Sequence, residues 1–343
     1  MSLSMNGSKY IWELDLIASP LAQLSIHPQF VGMRNSSVPN LLSCPLILDG
    51  GLSNVLEGMG CDLNHKLWTA EVLISQPELI VQAHLKYLEA GAHCISTAGY
   101  QASIQGFRDL GFDITYIEEL LLKPVALARE AIKRYSKRQL ISRPLLVAAS
   151  IGPYGAYLAD GSEYRGHYGL SDVELRHFHQ RRIELLDNAE ADLLAIETIP
   201  SFQEAQVLAE LLNHCHTRSW ISFSCKDGAH LNDGTPLAEA CQILAPVQQI
   251  FGIGVNCTAP NHVSSLIRTI KEHAPSKKVV IYPNSGEVFN PSNKTWKGTS
   301  IPEDFASQAM HWVNEGADMI GGCCRIGPGH IKEISTSLSK TDE

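Results

Sequence analysis

DLLAIETIP, residues 192–200, opens on an acid, runs through four apolar residues and then sets Glu197 and Thr198 before a closing Ile-Pro. A short, continuously apolar run of this kind, stopped by proline, reads as a strand buried on both faces. Outward from it, seven more runs follow the same plan. PLILDGG (45–51), HCISTAGYQ (93–101) and PLLVAASIGP (144–153) precede it, and SWISFSCKD (219–227), FGIGVNC (251–257), KKVVIYPNSG (277–286) and ADMIGGCCR (317–325) follow. Between them lie stretches of helical period. PELIVQAHLKYLEAGA from Pro77 opens on proline and closes near glycine, and DVELRHFHQRRIELLDNAEA, FQEAQVLAELLNHCH, PLAEACQILAPVQ and PEDFASQAMHWVNEGA behave alike. Eight alternating units predict an α/β fold of the (β/α)8 TIM type. An open doubly wound sheet would more often carry a glycine-rich phosphate turn after its first strand.

The barrel domain is expected over residues 44–338. Two helical stretches, about 64–75 and 77–91, lengthen the first crossover. Residues 1–43, with SIHPQF and MRNSSVPN, mix Pro, Ser and Asn with weak periodicity and read as a partly ordered N-terminal extension. With 343 residues, 44% apolar and 18% charged, the chain has material for one large core. A net charge of -9 without a basic run argues against nucleic acid or an anionic membrane as partner. No apolar stretch reaches the length of a membrane span, and Glu13 and Asp15 interrupt the start where a signal core would lie. A cytoplasmic protein acting on small molecules is expected.

Nine cysteines in such a chain do not form a secreted disulfide framework. Cys44, Cys61, Cys94, Cys215, Cys225 and Cys241 stand singly and read as small buried hydrophobes. Cys257 in GVNC and the adjacent Cys323 and Cys324 in GGCCR differ, because both segments close predicted strands. Three thiolates leave one position open on a tetrahedral zinc, the arrangement of a catalytic metal. A strained vicinal disulfide between Cys323 and Cys324 is the other reading.

In a barrel the active face lies at the carboxyl ends of the strands. Asp49, Thr97, Gln101, Ser150, Gly152, Pro153, Tyr154, Glu197, Thr198, Cys257, Asn284, Glu287, Cys323 and Cys324 are all expected there. Asp49 before two glycines equally suits a turn, and Glu197 could be satisfied by neighbouring amides. A carboxylate after four apolar residues on a buried strand nevertheless needs a partner, and a substrate ammonium is one.

DGG at Asp49, SIGPYGAYLADGSEYRG (150–166), ET at Glu197, GVNC, YPNSGE and GGCCR together resemble the homocysteine S-methyltransferases over roughly residues 45–330. The resemblance implies that Cys257, Cys323 and Cys324 bind zinc, that Asp49 and Glu197 help hold homocysteine, and that Asn284 lies beside the metal. Thr97, Gln101, Ser150, Gly152, Tyr154 and Thr198 are read as further substrate contacts. The implied reaction carries a methyl group to the zinc-bound thiolate of homocysteine, giving methionine. Betaine-using relatives have tyrosines where this chain has Gln101 and Thr198, which points away from betaine. Folate- and cobalamin-using relatives carry further domains, and the chain's end soon after GGCCR points away from those donors. The segment with Tyr154, Tyr157, Asp160 and Tyr164 resembles the branch that uses S-methylmethionine, with S-adenosylmethionine a further candidate donor. A non-catalytic zinc- or thiol-binding barrel is the reading from another class.

Four other features are read as incidental. His177 and His179 are expected on a solvated helix surface and His214 with His216 at a polar helix end. Lys226, Asp227, Asp233 and Gly234 read as a loop after the fifth strand, and Trp296 as packing a loop over the barrel mouth.

Overall fold

The computed structural model describes residues 45–62, 69–141, 143–290, 295–298 and 300–340. They belong to one compact unit, Asn35–Glu343. The extension expected over residues 1–43 and the lone Cys44 lie outside the described residues, as does the side chain of Trp296.

The strands in chain order are β1 (Leu46–Ile47), β2 (Cys94–Ser96), β3 (Leu146–Ile151), β4 (Leu193–Ile199), β5 (Ser219–Phe223), β6 (Ile250–Asn256), β7 (Lys278–Tyr282), β8 (Val288–Asn290), β9 (Thr295–Lys297) and β10 (Met319–Ile320). Seven of them, β1 to β7, join β10 in one parallel sheet in the order β1-β10-β7-β6-β5-β4-β3-β2. A parallel bridge between Leu48 and Cys94 links its two outer strands. The result is a nearly closed (β/α)8 barrel, as the alternation predicts. β8 and β9 form an antiparallel hairpin between β7 and β10, a pair the strand count does not anticipate.

Side chains on a strand alternate between two faces, so each barrel strand splits its residues between interior and helix layer. Leu46, Leu48, Leu146, Ala148, Leu193, Ala195, Trp220, Val280 and Met319 belong to one buried cluster inside the barrel. Their neighbours Ile47, Val147, Ala149, Leu194, Ile196, Ile221 and Ile281 belong to the larger cluster under the helices. Extending the inner series by one step on β3, β4, β5 and β7 reaches Ser150, Glu197, Ser222 and Tyr282. The alternation that builds the core thus also delivers polar groups to the interior at the carboxyl ends. Gly254 on β6 lets β7 approach, since a Cβ there would stand 2.0 Å from the Val280 carbonyl oxygen.

The helix Pro77–Glu89 starts on its proline, and Gly91 beyond it sits at φ 101°. Ser171 and Glu174 form a reciprocal capping box on Asp172–Asp187. The first crossover also contains helices Leu52–Gly58 and Thr69–Ser75. The 23-residue helix Ile114–Ser136 buries Ile117, Leu120, Leu121, Pro124, Val125, Ala128 and Ala131 on one side, a period that absorbs the interior proline. Among the described residues no helix is long and apolar enough to cross a membrane.

One expectation is corrected here. His177 and His179 do point to different faces, but His179 is fully buried rather than solvated, and its Nε2 lies 2.8 Å from Glu204 Oε1. His214 and His216 are exposed at a helix end, as expected.

Candidate active site

β6 runs into Cys257, whose backbone turns left-handed at φ 48°, and β10 is followed by Gly321 and Gly322 before Cys323 and Cys324. These two strand ends bring the three sulfurs within 4.8 Å of one another, all half-buried. The Cys323 and Cys324 sulfurs are 4.0 Å apart and both thiols are free. A disulfide would need about 2.05 Å. A tetrahedral zinc with sulfurs at about 2.3 Å spaces them by roughly 3.8 Å, so the donor set fits this metal and leaves its fourth position to a substrate. Among the described residues no other group of three His, Cys, Asp or Glu side chains converges so closely.

Backbone hydrogen bonds hold the cluster. Cys257 N donates to the Tyr282 carbonyl at 3.3 Å, and Cys323 N to that of Pro283 at 2.7 Å. Cys324 N donates to Asn284 Oδ1 at 3.3 Å, so Asn284 lies beside the cysteines and its side chain carries the Cys324 backbone. Facing thiols of Cys257 and then Cys323 pull the Cys324 thiol well below the usual thiol range. Three sulfurs facing one another in this way are a donor set suited to a soft cation.

Asp49 and Glu197 come to the same end of the barrel but differ in what they already bind. Asp49 is buried; its Oδ2 accepts from Ser96 N and its Oδ1 from the Tyr282 hydroxyl, each at 2.8 Å. Glu197 has a buried Oε1 without a protein partner. It lines an internal pocket with Leu48, Ser96, Trp220, Ser222, Asn256, Val280 and Tyr282. Burial pushes both carboxyls up to about 8, opposed at Asp49 by the Ser96 and Tyr282 hydrogen bonds and at Glu197 by Ser150. A cation beside them would favour the charged form of each.

Thr198 is buried and holds φ 60°, a conformation that costs a β-branched residue on the order of 1–3 kcal/mol. Asn256 clamps it from the next strand but one. Thr198 N donates to Asn256 Oδ1 at 2.7 Å, and Asn256 Nδ2 donates to Thr198 Oγ1 at 2.6 Å. The β4–β5 register breaks between Ile196 and Ile199, so the strain sits at a bulge beside Glu197. Thr97 is used internally, its Oγ1 accepting from Ser150 N at 3.0 Å.

The segment after β3 is held by internal contacts. Gly152 lies where a Cβ would stand 2.5 Å from the Tyr100 carbonyl, and its own carbonyl accepts from Arg182 Nη2 at 2.6 Å. Gln101 spends its Nε2 on the Ala156 carbonyl at 3.2 Å, bracing this segment, while its buried Oε1 has no protein partner. Tyr154, expected as a substrate contact, is half-buried and packs its ring against Tyr157, Tyr168 and Phe178, while its backbone N donates to Glu204 Oε1 at 2.7 Å. The phenol of Tyr100 is pushed up first by burial, and that of Tyr164, an exposed residue, first by the charge of Cys257. Asp160 pairs with Arg165 at the surface, and the carboxylate facing inward is Glu163. Asn256 and Tyr282 were also missed, although the alternation along β6 and β7 carries the signal for both. Tyr164 belongs to the donor segment named from the sequence; for Tyr100 and Glu163, set by loop path, no periodic signal exists.

The chain matches the family model described as homocysteine S-methyltransferase over residues 46–338. It is 45% identical over 294 residues to homocysteine S-methyltransferase YbgG of Bacillus subtilis, covering 84% of this chain and 93% of that protein. Selenocysteine Se-methyltransferase of Brassica oleracea is 44% identical over 306 residues, covering 85% and 88%. Among solved structures, the metallated form of the homocysteine methyltransferase MmuM from Escherichia coli superposes with a TM-score of 0.78 at 41% identity, over 88% of this chain and 99% of that one.

Proposed function

Because the chain belongs to the homocysteine S-methyltransferase family, a metal-dependent one, we propose that it methylates homocysteine with S-methylmethionine as donor and zinc as its metal. The observation that carries this reading is the trio of sulfurs from Cys257, Cys323 and Cys324, gathered at the end of a barrel that also holds the unpartnered Glu197 oxygen. These three cysteines would hold the zinc. When bound, the metal supplies a homocysteine sulfur without its proton at neutral pH, where a free thiol is only a few per cent ionised.

The protein's own groups orient the substrates. Glu197 takes the homocysteine ammonium through its free oxygen, and Asp49, already engaged by Ser96 and Tyr282, supports the pocket wall as a second negative group. The Asn256–Thr198 clamp fixes the turn that presents Glu197. The methyl carbon then passes in line from the donor sulfonium to the homocysteine sulfur. A carbon–sulfur bond forms as another breaks, the bonding pair returns to the donor sulfur, and both products are methionine. Two features argue against a betaine site: where betaine-using relatives have tyrosines this chain has Gln101, whose Nε2 is held by Ala156, and Thr198, which is held by Asn256. All eight cysteines described are free thiols, which supports a cytoplasmic, reducing setting.

The test is the initial rate of methionine formation by zinc-loaded protein with homocysteine and, in parallel, S-methylmethionine, betaine and S-adenosylmethionine. S-methylmethionine is expected to lead. A lead for betaine would sink the donor assignment and leave the family intact; no turnover with any donor would return the chain to a binding role.

A further inference from the structure

The loop that follows β3 folds back on itself through two left-handed residues, Ala159 at φ 55° and Gly161 at φ 82°. Past this reversal Ser162 is buried, Glu163 half-buried, and Tyr164 and Arg165 exposed. Glu163 Oε2 is buried and has no hydrogen-bond partner. The nearest cation in sequence, Arg165, is engaged elsewhere, with its Nη2 3.3 Å from Asp160 Oδ2 and 2.9 Å from Ser162 Oγ. The Glu163 backbone is anchored independently, because its carbonyl accepts from Ser224 Oγ at 3.1 Å. The carboxylate is close enough to Cys257 for the two charges to interact, yet it stands outside the set of ligand atoms that converge within 4.8 Å. It is therefore a neighbour of the reacting centre and not a fourth ligand closing it.

A carboxylate with one oxygen buried and unpartnered is costly and calls for a cation. Glu197 and Asp49 already serve the homocysteine side, and Glu204 is used up by Tyr154, Tyr168 and His179. Glu163 shares its segment with Tyr164, and the bond from Ser224 to its carbonyl places its backbone at the carboxyl end of β5, the face of the barrel that holds the cysteines. We propose that Glu163 is the subsite for the α-ammonium group of the methyl donor, so that the pocket selects a sulfonium that is also an amino acid. The ammonium fits better than the sulfonium for a physical reason. Positive charge on the donor sulfur disappears as the methyl group leaves, so a carboxylate against it would hold back the reaction. The ammonium keeps its charge throughout and is bound equally in ground and transition states.

This inference rests on the donor reading above and deepens it. Its test compares the zinc-loaded wild type with Glu163→Gln at saturating homocysteine, using two donors: S-methylmethionine and dimethylsulfoniopropionate, a sulfonium without an ammonium. For S-methylmethionine, KM is expected to rise about tenfold or more with kcat nearly unchanged, because a charge-assisted hydrogen bond made in both states is lost. For dimethylsulfoniopropionate KM should stay within about twofold, the homocysteine KM and zinc content should match the wild type, and the melting temperature should not fall. Equal losses with both donors, a loss confined to kcat, or no loss at all would overturn the subsite. A wild type that does not turn over S-methylmethionine overturns the donor reading itself, a result separate from an active wild type that Glu163→Gln leaves unchanged.

Discussion

Cys257, Cys323 and Cys324 show how much chemistry single side chains carry in this molecule. Replacing any of them with Ser removes a soft ligand from a set with no spare member, so metal retention and turnover should vanish together. Metal analysis after gel filtration, paired with the methionine assay, checks this, and full activity in any one variant would refute the zinc reading. Glu197→Gln should instead raise the homocysteine KM by about tenfold or more while zinc content stays at the wild-type level, since it removes a charged contact and no ligand. His84 gives a prediction of the opposite sign for stability. It is fully buried on the helix Pro77–Glu89, and neither ring nitrogen has a partner. His84→Leu should therefore stabilise the fold by about 1–3 kcal/mol, read as a higher midpoint in urea. A lower midpoint would mean that the imidazole shape matters more than its polarity.

At the scale of elements, the segment 152–168 owes its path to a buried knot on its helix side. Glu204 accepts from Tyr154 N and the Tyr168 hydroxyl and meets His179, which lies 3.1 Å from Arg182 Nη2. Arg182 in turn donates to the carbonyls of Ala102 and Gly152, so one knot ties the loops after β2 and β3 to two helices. Glu204→Ala leaves His179 and Arg182 buried without their carboxylate, and should cost about 3–5 kcal/mol. Hydrogen exchange should quicken across residues 152–168 more than in β5 or β6. A uniform change over the chain would show that the knot stabilises the fold without positioning this segment. The sequence displays RHFHQRR and FQEAQ as ordinary helical pattern. Only their packing reveals that His179, Arg182 and Glu204 belong together, because helical period reports which face is apolar and not which polar residue on that face finds a partner.

For the whole molecule, buried titratable groups predict how stability follows pH. His84 and His93 are both lowered to about 4, mainly by burial, so the unfolded chain takes up protons first as pH falls through the ordinary histidine range near 6.5. Taken alone, these two histidines lose stability on acidification from about 6.5 toward 4. Asp49 and Glu197 work the other way. Both raised to about 8, they keep protons that the unfolded chain has released, so they weaken stability as pH climbs from about 4 to 8. The two histidines and the two carboxyls oppose each other on the acid side, and only the carboxyls act above about 6.5. The substrate-free, metal-free protein should therefore change little in stability from about pH 4.5 to 6.5 and lose it from about 6.5 to 8. Melting temperatures across this range check it, with Asp49→Asn or Glu197→Gln making the alkaline fall shallower and His84→Leu turning the flat acid limb into a decline with rising pH. A stability that rises above about pH 6.5 would contradict the assignment of these groups.

The amino-acid sequence by itself determined the eight buried strands, their alternation with helices, and the arrival of Glu197 and the three cysteines at one end of a barrel. Those facts follow from local patterns, since an apolar run of strand length fixes an element and a period of two fixes which side chains face inward. Tertiary structure alone decided that Tyr154 packs among Tyr157, Tyr168 and Phe178 and that Glu163 keeps a buried oxygen without a partner. Alternation along β6 and β7 turns Asn256 and Tyr282 inward, but only the folded chain decided that they bind Thr198 and Asp49, and that His179 is buried. Each of these depends on a loop path or on contacts between groups distant in the chain, and pairings of that kind leave no periodic trace in the sequence.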